Sequence, residues 1–216
     1  MPRMDAPQFW ALAVGACSVL AILGKHPSRM PLHWGCKPLP VLLLIIAVCL
    51  YAQPAPTTTW ILIALGWSLV GDVVLMMPQR FFVLGLLAFL LGLVSYTIGF
   101  SLSGGFTPMQ LGWLAIPAVP ALWVLRTLWP HIGKLRGPIT FYVITMAAMV
   151  WRILARWDAP DVSTASWLWA TIGGACFMTS DSLLALRRFA KIAVPYPLEL
   201  GPYFAAQWCL AAAVWS

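Results

Sequence analysis

Long apolar runs, broken by short clusters of Pro, Gly, Ser and charge, set the rhythm of this chain. They give eight candidate elements: 8–24, 38–52, 60–77, 81–102, 109–129, 138–156, 165–186 and 201–215. In lipid, segments of this kind satisfy their backbone hydrogen bonds only as helices. The pattern therefore predicts an all-α polytopic membrane bundle of about eight transmembrane helices in a single integral membrane domain, 1–216. The first run, Phe9 to Leu23, has the length of a signal-peptide core, but no small-residue cleavage site followed by a polar mature domain comes after it, so it is read as a span. In the fourth run Gly85, Ala88, Gly92, Ser95 and Gly99 recur at spacings of three and four. Such a stripe of small residues predicts a seam where a neighbouring backbone comes close.

Composition strengthens the membrane reading. The chain is 62% hydrophobic and 9% charged, against about 25% charged in soluble domains. Its net charge of +7 comes from 13 Lys and Arg that gather in short loops, so it points to membrane topology and not to nucleic acid. Lys25, Arg29 and Lys37, then Arg80, then Lys134 and Arg136, then Arg187, Arg188 and Lys191 follow the odd-numbered spans. The opposite side has Arg3 and Arg156 next to Asp5, Asp158 and Asp161, and its loops 53–59 and 103–107 are uncharged. The positive-inside rule places both termini outside the cytoplasm, in the cell membrane, which in a bacterium is the inner membrane. Many of the 13 tryptophans (Trp34, Trp60, Trp129, Trp157, Trp167 and Trp215 among them) fall near run ends and predict an interfacial belt. Four of five cysteines lie inside apolar runs, which is no disulfide framework.

Against this background two carboxylates stand out. Ser68-Leu-Val-Gly-Asp72-Val-Val-Leu75 lies in the third span and Thr179-Ser-Asp181-Ser-Leu-Leu184 in the seventh, each with a Leu three residues after the Asp. An acid within the membrane is costly and is a functional candidate by default. Each Asp precedes the basic end of its span by five residues, about 7 Å of helix, so both belong to one layer in the cytoplasmic half. Near that level fall Ser68, Ser180, Arg126, Tyr142, Tyr203 and Gln207, with Lys37 at the cytoplasmic mouth. A short echo, D-V-V-L-M-M-P-Q-R-F from Asp72 and D-S-L-L-A-L-R-R-F from Asp181, suggests a 4+4 parallel repeat. Two carboxyls in one low-dielectric pocket take different protonation states near neutrality, giving a general acid beside a stabilising base. The competing reading is structural: each Asp pairs with Arg126, Arg152 or a hydroxyl and locks the bundle.

Other chemistries find little support. His26, His33 and His131 are read as loop residues without close Cys or carboxylate partners, so neither a metal nor a cofactor is expected. Neither G-x-S-x-G nor H-E-x-x-H occurs.

Several motifs resemble one family. Lys37-Pro-Leu-Pro40, the Ser68 to Leu75 stretch, Phe82-Val-Leu-Gly85-Leu-Leu-Ala-Phe89 with Gly92 and Tyr96, and Ser180-Asp181-Ser-Leu-Leu-Ala185 are similar to the YhhN family of multi-pass membrane proteins. The likeness spans nearly the whole chain. It implies lysoplasmalogenase activity, the hydrolysis of the vinyl ether bond of a lysophospholipid (lysoplasmenylcholine or lysoplasmenylethanolamine) to fatty aldehyde and a glycerophospho-alcohol. One departure is visible: the family pattern has His after the glycine matched by Gly92, and this chain has Leu93. By its place in the span, position 93 lies away from the acid layer.

The implied reaction suits an acid pair. One Asp would protonate the outer vinyl carbon, and the other would stabilise the oxocarbenium ion and activate water. Lys37 or Arg126 would meet the phosphate, and Ser68, Ser180, Tyr142, Tyr203 and Gln207 are the further substrate-binding candidates. On this reading Asp72→Asn and Asp181→Asn each abolish aldehyde release without loss of folded protein. The alternative from another class is a proton-coupled transporter or carrier of a lysolipid or small amphiphile, which also holds ionisable groups at mid-membrane. A purely structural or assembly role is the third.

Overall fold

The computed structural model describes residues 6–25, 27–103 and 108–215. Arg3, Asp5, His26 and the 104–107 part of the uncharged loop lie outside the described residues. The described chain is all helical: α1 Ala6–Leu23, α2 Met30–Cys36, α3 Leu39–Tyr51, α4 Pro56–Met76, α5 Phe82–Ser101, α6 Ala115–Leu128, α7 Arg136–Leu154, α8 Thr164–Phe189 and α9 Tyr196–Ala212. Short 3-10 turns, Gln79–Phe81 and Gly133–Leu135, lead into α5 and α7.

Local chemistry explains where the helices start and stop. Proline, whose missing N–H costs nothing in a first turn, opens α3, α4 and α9. The Ser163 hydroxyl caps α8 by accepting from the Ser166 N–H at 2.9 Å. Lys191, at φ 58°, ends that helix. Three expectations change. Residues 108–114 of the fifth run form a 3-10 segment because Pro117 and Pro120 remove donors from the α-helical ladder just ahead of them. The last helix starts at Tyr196, not 201, which carries Glu199 into its first turn. His33 is helical: α2 folds back onto α1 at Gly24, where a Cβ would lie 2.5 Å from the His33 nitrogen.

Among the described residues, five stretches are long and apolar enough to cross a membrane: Met30–Tyr51, Pro56–Met76, Gln79–Ser101, Gln110–Leu128 and Gly133–Leu154. Large apolar side chains such as Leu12, Val119, Leu122 and Ile144 are exposed. That is the outer surface of a multi-pass membrane protein, where lipid replaces water. Among the described residues, three of the eight expected spans fall outside that measure: the first, whose apolar stretch Gln8–Leu23 is shorter, the seventh and the eighth. Helix α8, 26 residues long, carries Asp181, Arg187 and Arg188, while α9 has 17 residues and carries Glu199.

Helix pairs organise the interior. The most extensive contacts are α4 with α5 and α8 with α9, and α5 packs on α7 and α3 on α9. The small-residue stripe of α5 faces α4: a Cβ on Gly92 would lie 3.3 Å from the Ala64 carbonyl oxygen, and one on Gly99 would lie 3.0 Å from Trp60 Cβ. Gly173 performs the same service between α8 and α9, where a Cβ would lie 2.8 Å from Leu210 Cγ. These close approaches bring the polar faces of α4, α8 and α9 together. The aromatic rings of Phe89, Tyr203 and Phe177 pack edge to face between them at 5.8 and 6.1 Å.

Candidate active site

Asp72 lies in the last third of α4 and is 1% exposed. Lys37 sits at the junction of α2 and α3, where Pro38 and Pro40 begin the next helix. Its Nζ lies 3.1 Å from Asp72 Oδ1. From α9 the Tyr203 hydroxyl donates to Asp72 Oδ2 at 2.6 Å. One oxygen is thus hydrogen-bonded and the other has only the ion pair with Lys37, without a hydrogen bond of its own.

Asp181, on α8, is half-buried, and Tyr142 of α7 donates its hydroxyl to Asp181 Oδ2. The carboxyl lines an apolar cavity of about 60 Å³ formed by α5, α6, α7 and α8, with Leu86, Val124, Met146 and Met178 in its wall. A second cavity, of about 190 Å³, is basic: Lys25, Lys37, Arg187, Arg188, His33 and Glu199 face it. Phe82 and Leu184 line both, so the two spaces adjoin. Leu75 and Leu184, each one helical turn past its Asp, both border the basic cavity. The two acids therefore approach it from the same end of the bundle, one turn below.

The remaining expected site residues divide. Ser180 is buried and donates to the Glu199 carbonyl oxygen at 2.8 Å, tying α8 to α9. Gln207 is fully buried and accepts from the Tyr96 hydroxyl at 2.8 Å, tying α9 to α5. Ser68 is fully buried against α5, where a Cβ on Gly92 would lie 3.4 Å from its Oγ. Arg126 is exposed and lines neither cavity, so it does not join the acids. Leu93 is fully buried one turn beyond Phe89, and it lines neither cavity. Among the described residues no group of three His, Cys, Asp or Glu side chains is placed to hold a metal ion.

Sequence reasoning missed the basic cavity. Glu199, which the expected span 201–215 leaves outside, is 7% exposed on α9 and held by Arg187, whose Nη2 donates to Glu199 Oε1 at 2.9 Å and whose Nε donates to Oε2. His33 is buried, with Nδ1 2.7 Å from the Ala21 carbonyl oxygen and Nε2 3.4 Å from Lys25 Nζ. Burial, with the nearby charges of Lys37 and Arg187, holds the Lys25 ammonium below its ordinary pKa. Pro195 and Pro197 ahead of and inside a first turn carrying Glu199 were the available signal for an earlier start to α9.

Comparison with known proteins adds an independent line. The profile of the YhhN family matches residues 32–214. A protein from Mycobacterium bovis named lysoplasmalogenase is 33% identical over 156 residues, 68% of this chain and 56% of the relative. Lysoplasmalogenase TMEM86B of Mus musculus is 31% identical over 203 residues, 90% of this chain and 81% of that protein. The TMEM86B protein of Sus scrofa is 30% identical over 228 residues, covering 99% and 91%. The match thus spans little more than half the length of the mycobacterial relative. No solved structure matches the chain.

Proposed function

The chain belongs to the YhhN family, and on that premise we propose that it hydrolyses the vinyl ether bond of a lysoplasmalogen, with the Asp181 carboxyl as the proton donor. The observation that carries this reading is the position of Asp181, which is open to an apolar cavity that adjoins a basic one. In this pose the first space takes the tail carbons next to the vinyl ether of a single-chain lysolipid, being too small for the whole chain, and the polar end points toward the second. The vinyl ether then falls at the junction by Phe82 and Leu184, one turn from Asp181.

The steps follow from the bond to be broken. The protonated Asp181 carboxyl delivers its proton to the outer vinyl carbon, and the electron pair of the double bond forms the new C–H bond. The inner carbon and the ether oxygen share the resulting positive charge as an oxocarbenium ion, and the carboxylate just formed stabilises it. Water adds to the inner carbon and gives its proton to that carboxylate, which restores the acid. The hemiacetal collapses to fatty aldehyde and the free glycerophospho-alcohol. Tyr142 orients the carboxyl by its hydrogen bond to Oδ2. Asp72, which lines neither cavity, is a positioning residue: it fixes Lys37 at the wall of the basic cavity.

The same proposal includes the membrane arrangement. Eight spans in a 4+4 parallel repeat are supported by the matching pairs α4 with α5 and α8 with α9, and α3 with α4 and α7 with α8. The basic residues at the helix ends, Lys25, Lys37, Arg187 and Arg188, converge on one cavity. This supports a cytoplasmic opening with both termini outside the cytoplasm, in the inner membrane if the source is bacterial.

Incubating the purified protein with vinyl ether, alkyl ether and ester lysolipids, with mass spectrometry of the products, tests the function. Aldehyde is expected from the vinyl ether alone. Fatty acid from the ester would make the protein an esterase, and transport in sealed vesicles without turnover would make it a carrier.

A further inference from the structure

The basic cavity holds more positive charge than its acids balance. Lys37 is paired with Asp72, and Arg187 with Glu199. Lys25 and Arg188 also line it, and among the described residues neither has an ion-pair partner. Lys25 Nζ instead faces the Tyr196 ring at 5.1 Å and lies 3.4 Å from His33 Nε2, while the Arg188 guanidinium lies 4.4 Å from the Phe82 ring centre. Four cations around a partly enclosed space repel one another, and a bound anion relieves that repulsion. At about 190 Å³ the cavity far exceeds the ~10–15 Å³ that one water needs, and it has room for a phosphate.

The features that would recognise an amine are already occupied. Among the described residues Glu199 is the one acid that lines the cavity, and both of its oxygens are taken by Arg187. A quaternary ammonium is usually held by aromatic faces. Here Tyr196 is flanked by Lys25 and Arg187 at 5.1 and 4.7 Å, and Phe82 by Arg188. An incoming ammonium would meet cations on each of these rings.

We infer that the basic cavity binds the phosphate ester of a lysolipid head group through Lys25 and Arg188, and that it does not discriminate among the alcohols attached to that phosphate. This rests on the hydrolase reading for the identity of the lipid, but not for the binding itself. It extends the site to two residues outside the sequence-derived set. Choline, ethanolamine and an unsubstituted phosphate are accepted alike, and a glycerol ether without phosphate is disfavoured.

Non-hydrolysable alkyl ether lipids separate this proposal from the reaction. Binding to the full-length protein in nanodiscs is measured, by quenching of its tryptophans, for 1-O-alkylglycerol, its 3-phosphate, and the phosphocholine and phosphoethanolamine esters. The three phosphate lipids are expected to agree within about threefold and the neutral ether to bind at least tenfold more weakly. Lys25→Gln with Arg188→Gln is expected to remove that tenfold advantage while leaving the neutral ether's affinity unchanged, which also reports that the variant is folded. Glycerophosphocholine without a chain is the further arm. If it competes as well as the lysolipid, the site serves a soluble phosphate ester and the lipid assignment fails. A preference of tenfold or more for one amine, or equal binding of the neutral ether, overturns the inference. Absence of aldehyde from the vinyl ether lipid, with this binding pattern intact, overturns only the hydrolase reading.

Discussion

Around Asp72 both carboxylate oxygens are engaged, one by the Lys37 ammonium at 3.1 Å and one by the Tyr203 hydroxyl at 2.6 Å, and the side chain is sealed from both cavities. Around Asp181 only a hydroxyl is at hand, from Tyr142, and the carboxyl borders an apolar space. Asp72 is enclosed with its own cation and meets no space that a substrate could enter. Asp181 borders an open apolar space, with only a phenol beside it, and so can hand a proton to a substrate lying there. The difference assigns unlike tasks to two residues in nearly the same local sequence. Asp181 meets the substrate, and Asp72 holds the cation beside it.

The largest effect expected from this division is on Asp181→Asn. Loss of the proton donor should reduce aldehyde release by about 10²–10⁴-fold, while thermal unfolding of the detergent-solubilised protein stays near that of the parent. Activity within tenfold of the parent would return the donor role to Asp72.

Asp72→Asn should act mainly on the fold. It leaves the Lys37 ammonium buried without its counter-charge, a change that costs about 3–5 kcal/mol. The expected result is a lower unfolding temperature and a smaller monodisperse fraction, most of it recovered when Lys37→Met removes the orphaned charge. A variant that folds as well as the parent and makes no aldehyde would restore the picture of two acids acting on the substrate as a catalytic pair.

The residues disclose the fold more fully than the site. The apolar runs located the long helices to within a few residues, because lipid leaves the backbone no other way to satisfy itself. The loop charges and helical rise placed Asp72 and Asp181 in one layer, and Leu75 and Leu184 do border one cavity. What stayed hidden were the faces. Ser180 and Gln207 sit at the expected level yet turn toward neighbouring helices. Depth along a helix follows from counting, but azimuth depends on which helix packs where. Lys25, Arg187 and Arg188 were read as topology signals, since a cation at a span end satisfies the positive-inside rule wherever its side chain points. Their convergence depends on α2 folding back at Gly24 and on the early start of α9.

The tyrosines sharpen the same contrast at smaller scale. Each donates to a carboxyl oxygen, and removing such a hydrogen bond costs about 0.5–1.5 kcal/mol when the partner is neutral and about 1.5–3 kcal/mol when it is charged. Tyr203→Phe should show that cost in unfolding temperature with kcat little changed. Tyr142→Phe should show it in kcat, at up to about tenfold, with stability little changed. If both substitutions fall on kcat, the two acids are working on one substrate.

Arg126 gives the smallest expected effect, and it tests where the head group goes. Counting along the chain puts it at the level of the acids, with as good a claim on phosphate as Lys37. In the folded chain it is exposed on α6 and borders neither cavity. An exposed cation at that position reaches the interface along its own aliphatic stem, and its replacement should change stability by less than about 0.5 kcal/mol. Arg126→Gln should therefore leave KM for a lysolipid within about twofold of the parent, whereas Lys25→Gln and Arg188→Gln raise it. A tenfold rise in KM from Arg126→Gln alone would put the phosphate on the outer side of α6. The vinyl ether would then reach Asp181 from the opposite end of the apolar cavity, and the basic cavity would lose its claim to the head group.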